Sequence, residues 1–378
     1  MTRVLGFGTY DVTSHPRVKV LLDGLAARRL SVRELDLPLG LSTAERVGML
    51  QHPTRLPLLA ARLGSRWSAL AAGTRAFRGR SQPDAVLVGY MGHFDVLLAR
   101  ALFPSTTLIL DHLIFAAGTA RDRGQGGARA RVLEVLDRLA THAADVIVLD
   151  TDEHLAQLDD GVRDRGVVVP VGAPEPWFAA GESRSAARQH APADSDGPLS
   201  VVFFGLYTPL QGAPTIARAL RLLAQRDRPV AATLIGTGQD RAECEEILEG
   251  VDGVTWVDWV DASELPAVVA AHDVCLGIVG TTEKALNVVP NKVYQGLAAG
   301  CAVITSDTAP QRRVLGDAAE LVEPGSAETL ADAIDRLAQD PDALADARHR
   351  AARAAQRFTP AQAVRPLLDV LRAKGTVQ

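Results

Sequence analysis

Short apolar, strand-like runs alternate with helical segments along almost the whole chain, and they do so in two successive series. Strands joined by helices rather than by tight hairpins pair in parallel through right-handed crossovers, so this alternation predicts parallel sheets with helices on both faces. The first series opens with RVLGF (3–7), a glycine loop at 8–16, and a helix at 18–27 with Leu21, Leu22 and Leu25 on one face. It continues through DAVLVGYM and TTLILDH, a helix over 128–143 and the strand DVIVLD (145–150). The second series starts at LSVVFFG (199–205) and runs through VAATLIG, VTWVDWV and DVCLGIV (273–279), each followed by a helical stretch. Between the two, residues 181–198 are poor in apolar side chains and end in Gly-Pro, the composition of a linker. The expectation is an α/β chain of two Rossmann-like, doubly wound domains, 1–180 and 199–355. The linker would be 181–198, and a terminal helical stretch, 356–378, would cross back to the first domain.

The 378 residues, 47% hydrophobic and 22% charged, provide enough apolar surface for two cores. A net charge of -5 excludes a nucleic-acid binder whose affinity comes from neutralising phosphates. Cys244, Cys275 and Cys301 are widely spaced and form neither a disulfide framework nor a zinc motif, a reducing-compartment pattern. The N-terminus enters a strand directly, without a leader pattern, and no apolar run approaches the roughly 18–20 residues of a membrane span. A cytoplasmic location is therefore expected. Residues 55–80 carry six arginines and no acidic residue, with Leu, Trp and Phe at helical spacing. Two readings stay open for this segment: a basic helix lying peripherally on the anionic inner membrane surface, or a surface helix packing its apolar face on its own domain.

The chemistry concentrates in residues 282–307, TEKALNVVPNKVYQGLAAGCAVITSD. Of 40 basic residues only Lys19, Lys284, Lys292 and Lys374 are lysines, and two of the four fall in this window. The spacing predicts a loop, Pro290 in the first turn of a helix running to Ala299, a stop at Gly300 and a buried strand over 302–305. Free N–H groups and an ammonium at the start of such a helix form a phosphate site, with Asn291, Lys292 and Lys284 as its members. In the first series the loop after RVLGF lacks a GxGxxG fingerprint. What it offers is a close approach at Gly8, with His15 and Arg17 nearby as anion contacts. Two polar pairs, His93 with Asp95 and Asp111 with His112, fall at the C-terminal ends of neighbouring strands, where open α/β sheets place ligands. The glycine-rich stretch that follows, AAGTARDRGQGGAR (116–129), reads as a mobile loop over that end of the sheet. Asp150-Thr151-Asp152 superficially matches a metal-binding Asp-x-Asp, but it reads as a strand end and a helix N-cap.

Taken together, VVFFG with PLQG after it, LIGTGQD, VDWVDASELPAVVAAHDVCL, PNKVYQGLAAGCAVITSD and VEPGSAETLADAI resemble the retaining glycosyltransferases of family 4. The resemblance is strongest from Ser200 to Gly325; GHFDVLLARALF, ILDHLIFAAGTARDR and VVVPVGAPEPWF extend it into the first half. It implies the GT-B fold, with two Rossmann-like domains facing across a cleft. The C-terminal domain would hold a nucleotide-diphosphate sugar, and the N-terminal domain would hold an acceptor that is lipid-linked or a small-molecule glycoside. No metal and no cofactor are implied. By the same resemblance Gly205, Gly236, Gly238, Trp259 and Val260 belong to loops approaching the diphosphate and base. His112 would contact the transferred sugar, joined by Asp111, His93 and Asp95 on the sugar and acceptor side, and Gln295 would meet ribose or sugar hydroxyls. The sequence departs from the family at four charged positions. The usual glutamate pair reads Asn287 and Gln295, and the usual arginine and lysine of the phosphate loop read Leu206 and Gln211. Lys284 and Lys292 are the candidates to replace the missing cations. Two other readings remain beside a metal-independent, retaining hexosyltransferase: a nucleotide-sugar epimerase using Asp95 and Asp111, and a catalytically silent partner of another transferase.

Overall fold

The computed structural model describes residues 2–12, 16–41, 49, 56–113, 115–116, 127–189 and 197–377. The chain divides into two units, Met1–Pro170 with Pro360–Gln378, and Val171–Thr359.

The first unit contains β1 (Arg3–Gly8), α1 (Pro16–Ala27), β2 (Ser31–Asp36), α2 (Leu56–Gly73), β3 (Ala85–Val88), α3 (Asp95–Leu102), β4 (Thr107–Asp111), α4 (Ala128–Ala143), β5 (Val146–Leu149), α5 (Asp152–Ala156) and β6 (Gly166–Val168). Its six strands are parallel in the order β2-β1-β3-β4-β5-β6. The two-residue period of a strand splits β1 between two cores: Val4 packs with Leu21 and Leu25 of α1, while Leu5 and Phe7 pack on the opposite face with Val96 and Leu70. β2 was not expected from the sequence. It is an edge strand that is nowhere fully buried, so SVRELD carries charges instead of an apolar run.

The second unit contains α6 (Glu175–Gln189), β7 (Ser200–Phe204), α7 (Ala213–Gln225), β8 (Ala231–Ile235), α8 (Arg241–Ile247), β9 (Val254–Val257), α9 (Leu265–Ala270), β10 (Val274–Leu276), α10 (Glu283–Leu286), α11 (Asn291–Ala298), β11 (Ala302–Ser306), α12 (Ala309–Leu315), β12 (Glu320–Val322), α13 (Ala327–Gln339) and α14 (Pro341–Ala355). Its sheet is also six-stranded and parallel, in the order β12-β11-β10-β7-β8-β9. Val201 and Phe203 anchor one core with Ile216 and Leu220 of α7 and Leu330 and Ile334 of α13.

Two short helices, α15 (Pro360–Ala363) and α16 (Arg365–Ala373), end the chain within the first unit. Leu367, Leu368 and Leu371 join the core around Val4. α1 approaches α15 so closely that a Cβ on Gly24 would lie 2.2 Å from the Pro360 carbonyl oxygen.

Three expectations change. The division falls after Pro170, not at 181–198: residues 181–189 are the second half of α6, whose Trp177, Phe178 and Gly181 are buried. A helix needs only a narrow apolar face to pack, so a stretch poor in apolar residues was mistaken for linker; residues 190–196 lie outside the described residues. The stretch before Pro290 is not all loop, because Thr282 caps α10 by accepting from the Ala285 N–H, and Pro290 is the N-cap of α11, not a residue of its first turn. In α2 the apolar face turns inward. Leu59 and Leu70 are buried and the Trp67 Nε1–H donates to Asp95 at 2.9 Å, while Arg62 and Arg66 stay exposed. This is the packing that the second of the two open readings of residues 55–80 expected, with Leu58 left 50% exposed. Among the described residues no helix is long and apolar enough to cross a membrane.

Candidate functional site

In the second unit the site grows from the turn after β7. Phe203 and Phe204 end the strand, and Gly205 turns the chain at φ +142°, a region open to glycine and strained for other residues. A Cβ there would come within 3.1 Å of the Lys292 ammonium. Lys292 stands in the first turn of α11 and is only 5% exposed. Its Nζ lies 3.8 Å from the centroid of the Phe203 ring and donates to Gln211 Oε1 at 2.5 Å. Gln211 is one of the two positions at which the family resemblance implied a phosphate-loop cation, and the ammonium that reaches it comes from another helix. No carboxylate pairs with Lys292 among the described residues. Burial without a counter-charge pulls its pKa down from the ordinary lysine value to about 7. No side chain caps the N–H groups that open α11, and they add the positive end of the helix dipole at the same place.

Gly236 and Gly238, at φ +118° and +155°, shape the neighbouring turn after β8. Arg241, at the start of α8, was missed in the sequence. Its guanidinium lies 4.2 Å from the Trp256 ring centroid and 5.5 Å from that of Tyr207, and its Nη1 donates to the Gly236 carbonyl at 2.5 Å. A basic residue five positions past the strand-end glycine Gly236 was the available signal. Gln295 is buried one turn along α11 from Asn291, which is half-buried. Lys284 and Asn287 are half-buried on and just after α10, a separate element from the one that carries Lys292. Trp259 is 78% exposed beside the half-buried Val260. A cavity of about 430 Å³ in this unit, lined by Phe178, Arg184, Leu297 and Arg348 among others, opens at the C-terminal end of α11, away from Lys292.

In the first unit the two expected polar pairs do fall at the ends of the neighbouring strands β3 and β4. Two of the four side chains are engaged elsewhere. Asp95 uses both oxygens: Oδ2 accepts from the Thr9 N–H and hydroxyl at 2.7 and 2.8 Å, and Oδ1 accepts from Trp67. It fixes the turn after β1, where a Cβ on Gly8 (φ +146°) would meet it at 3.0 Å. Asp111 accepts from Arg17 Nε at 2.8 Å in an ion pair whose side chains are almost wholly buried. Burial raises the Asp111 carboxyl and Arg17 pulls it down, with a net shift above the ordinary value. Arg17, expected as an anion contact in the glycine loop, is instead committed to this pair and to the Val169 carbonyl; its companion His15 lies outside the described residues, as does most of the glycine-rich loop after β4.

His93 and His112 remain together, ring centroids 5.1 Å apart and edge to face. Burial and the neighbouring His93 hold the His112 imidazole neutral, its pKa down at about 3. His93 Nε2 lies 2.9 Å from Asp137 Oδ1. Asp137 was also missed. It occupies the buried stripe of α4 with Leu133, Ala140 and Thr141, and a carboxylate on an otherwise inward-facing stripe was the signal. Asp150-Thr151-Asp152 is the strand end and N-cap that it was read as, with Thr151 accepting from the His154 N–H and Asp150 pairing with the His154 ring.

The whole chain superposes on solved enzymes of one architecture. Sucrose-phosphate synthase from Thermosynechococcus elongatus aligns with a TM-score of 0.70 and 16% identity, covering 99% of this chain and 100% of that one. The fold is GT-B. HepE from Anabaena in complex with UDP-glucose gives a TM-score of 0.66 at 14% identity, again covering 99% and 100% of the two chains. UDP-GlcNAc 2-epimerase from Neisseria meningitidis shares the GT-B architecture at 0.56 and 12%, with the same coverage. Residues 198–340 match the family described as "Glycosyl transferases group 1". They span the Gly205 turn, Arg241 and Lys292 of the second GT-B domain. Curated proteins gave no match.

Proposed function

We propose that this protein is a glycosyltransferase that moves a hexosyl group from a nucleoside-diphosphate sugar to an acceptor hydroxyl, with retention of configuration and without a metal at the diphosphate. The observation that carries this reading is Lys292: a buried ammonium at a strand-end glycine turn, beside a helix N-terminus, with ring faces and an amide around it and no carboxylate among the described residues. A diphosphate is the counter-charge such a place lacks. The family match over residues 198–340 and the relatives solved with UDP and UDP-glucose support the same donor class.

In the transfer, the acceptor oxygen bonds to the anomeric carbon as the bond from that carbon to the diphosphate oxygen breaks. The electron pair leaves with the diphosphate, which also takes up the hydroxyl proton. Lys292, the first N–H groups of α11 and Arg241 meet the charge that develops, and preorganised donors of this kind lower such barriers without a metal. Lys284, Asn287, Asn291 and Gln295 complete the donor side, with Gly205, Gly236, Gly238, Trp259 and Val260 shaping its loops. The first unit takes the acceptor, with His112 as a neutral hydrogen-bonding group.

An epimerase would need two carboxyl groups free for acid and base work, and Asp95 and Asp111 are both engaged within their own unit. A thermal-shift panel of UDP, GDP, dTDP, ADP and their sugars tests the donor, because a ligand of the native state raises the melting temperature by mass action. One nucleoside diphosphate is expected to raise it by several degrees and its sugar to be turned over; no shift with any of them overturns the reading. Binding without turnover on a panel of lipid-linked and glycoside acceptors would indicate a silent partner. Anomeric NMR of the product reads out retention.

A further inference from the structure

Three elements of the first unit bring metal-type ligands to one buried point. His93 comes from the turn between β3 and α3, His112 from the end of β4, and Asp137 from the inner stripe of α4. One ligand atom from each lies within 4.8 Å of the other two, and the residues are only 5%, 2% and 6% exposed. Donor atoms around a tetrahedral zinc-class ion lie about 3.3 Å apart, so the set would have to draw in around an ion by a little over an ångström at most.

Protein contacts leave this cluster incomplete. His112 Nε2 is buried with no hydrogen-bond partner among the described residues. His93 Nε2 sits 2.9 Å from Asp137 Oδ1 without making a hydrogen bond. Native interiors rarely leave buried polar atoms unmatched unless water or an ion meets them. Two imidazoles and a carboxylate are a donor set for a zinc-class ion.

We propose that His93, His112 and Asp137 bind one divalent first-row transition-metal ion, of which zinc is the type, and that the ion fastens α4 to the ends of β3 and β4. Three protein ligands leave a coordination position open to water or to a hydroxyl group. This ion is distinct from the donor diphosphate, whose charge is met by Lys292 in the other unit. Its binding is measured without nucleotide, so its failure and a failure of the transferase reading are separable.

The test is a Co2+ titration of the full-length, chelator-stripped protein followed by visible d–d absorption, with Zn2+ competition and a Zn2+ thermal shift. One equivalent of Co2+ is expected to give a d–d spectrum that Zn2+ abolishes, and saturating Zn2+ to raise the melting temperature by several degrees. His112→Gln and Asp137→Asn should each weaken binding by about tenfold or more, while His349→Gln, in the second unit, should not. The wild-type titration decides even if a variant fails to fold. No d–d spectrum and no thermal shift in the wild-type protein overturns the proposal, as does binding unchanged in both site variants.

Discussion

Each unit buries one cation almost completely, and the two are treated in opposite ways. Arg17 in the first unit meets a carboxylate, Asp111, at 2.8 Å and donates a second time to the Val169 carbonyl. Lys292 in the second meets an amide oxygen and the faces of two phenylalanines. A buried charge is costly unless it is paired, and Arg17 has a carboxylate beside it, although its Nη1 and Asp111 Oδ2 have no hydrogen-bond partner among the described residues, while Lys292 has no counter-charge among them. On the proposed function, the contrast is between a cation that holds the fold and one that would hold a ligand. Neither composition nor helical spacing separates the two.

Substitution by a neutral side chain should break the comparison most visibly. Lys292→Met is expected to cost about 10²–10³-fold in turnover, the scale of losing one preorganised donor to a developing oxyanion. The same change should stabilise the nucleotide-free protein by about 1–4 kcal/mol, because it removes a buried charge without a partner. Arg17→Met should do the reverse: it strands Asp111 and costs about 3–5 kcal/mol of stability, while donor affinity in the folded fraction stays as it was. Denaturant melts of both variants beside initial-rate assays read the crossing pattern. If Lys292→Met lowers stability as Arg17→Met does, the distinction between the two cations is lost.

The pH dependence sharpens the same contrast. With Lys292 at about 7 in the folded, empty protein and 10.5 as its ordinary value, the unfolded chain holds a proton that the folded chain has released between those limits. The Lys292 contribution to stability therefore rises with pH from about 7 to 10.5 and is flat below 7. Nucleotide binding runs the other way, since only the ammonium pairs with phosphate. Affinity should fall by up to about tenfold per pH unit above 7, and binding near pH 8–9 should take up close to one proton. Calorimetry in buffers of different ionisation enthalpy measures that uptake, and a pH-independent affinity with no proton uptake would count against the lysine.

The smallest effect is expected at Trp259. At 78% exposure it carries little of the fold, so Trp259→Ala should change stability by no more than about 0.5 kcal/mol. Its effect on nucleotide affinity should be about tenfold or less, and a greater loss would move the weight of the donor site from the phosphate to the base.

Much of this architecture was legible because parallel sheets buried on both faces require apolar runs, and those runs stand out as VVFFG and LILD. The elements that were misread lack that signature: β2 is an edge strand with charges, and α6 packs on a narrow face. In the site, Lys292 could be singled out because lysine is rare in this chain and because Pro-Asn-Lys opens a helix. Its partner could not, since the contact with Gln211 spans 81 residues and is made only when β7 and α11 fold onto one sheet. The engagement of Asp95 by Thr9 and Trp67, and of Asp111 by Arg17, was hidden for the same reason. A strand-end carboxylate looks alike in sequence whether it faces a ligand or a buried arginine.

The central claim is that Lys292 supplies, from α11, the cation missing at Gln211. Isothermal titration of the nucleoside diphosphate chosen by the thermal-shift panel, into Lys292→Gln and into Lys292→Gln combined with Gln211→Lys, tests it directly. The single variant should lose at least about tenfold in affinity and the double variant should recover most of that loss, because the ammonium has been returned to the same place from the other side. Undiminished affinity in Lys292→Gln would contradict the account.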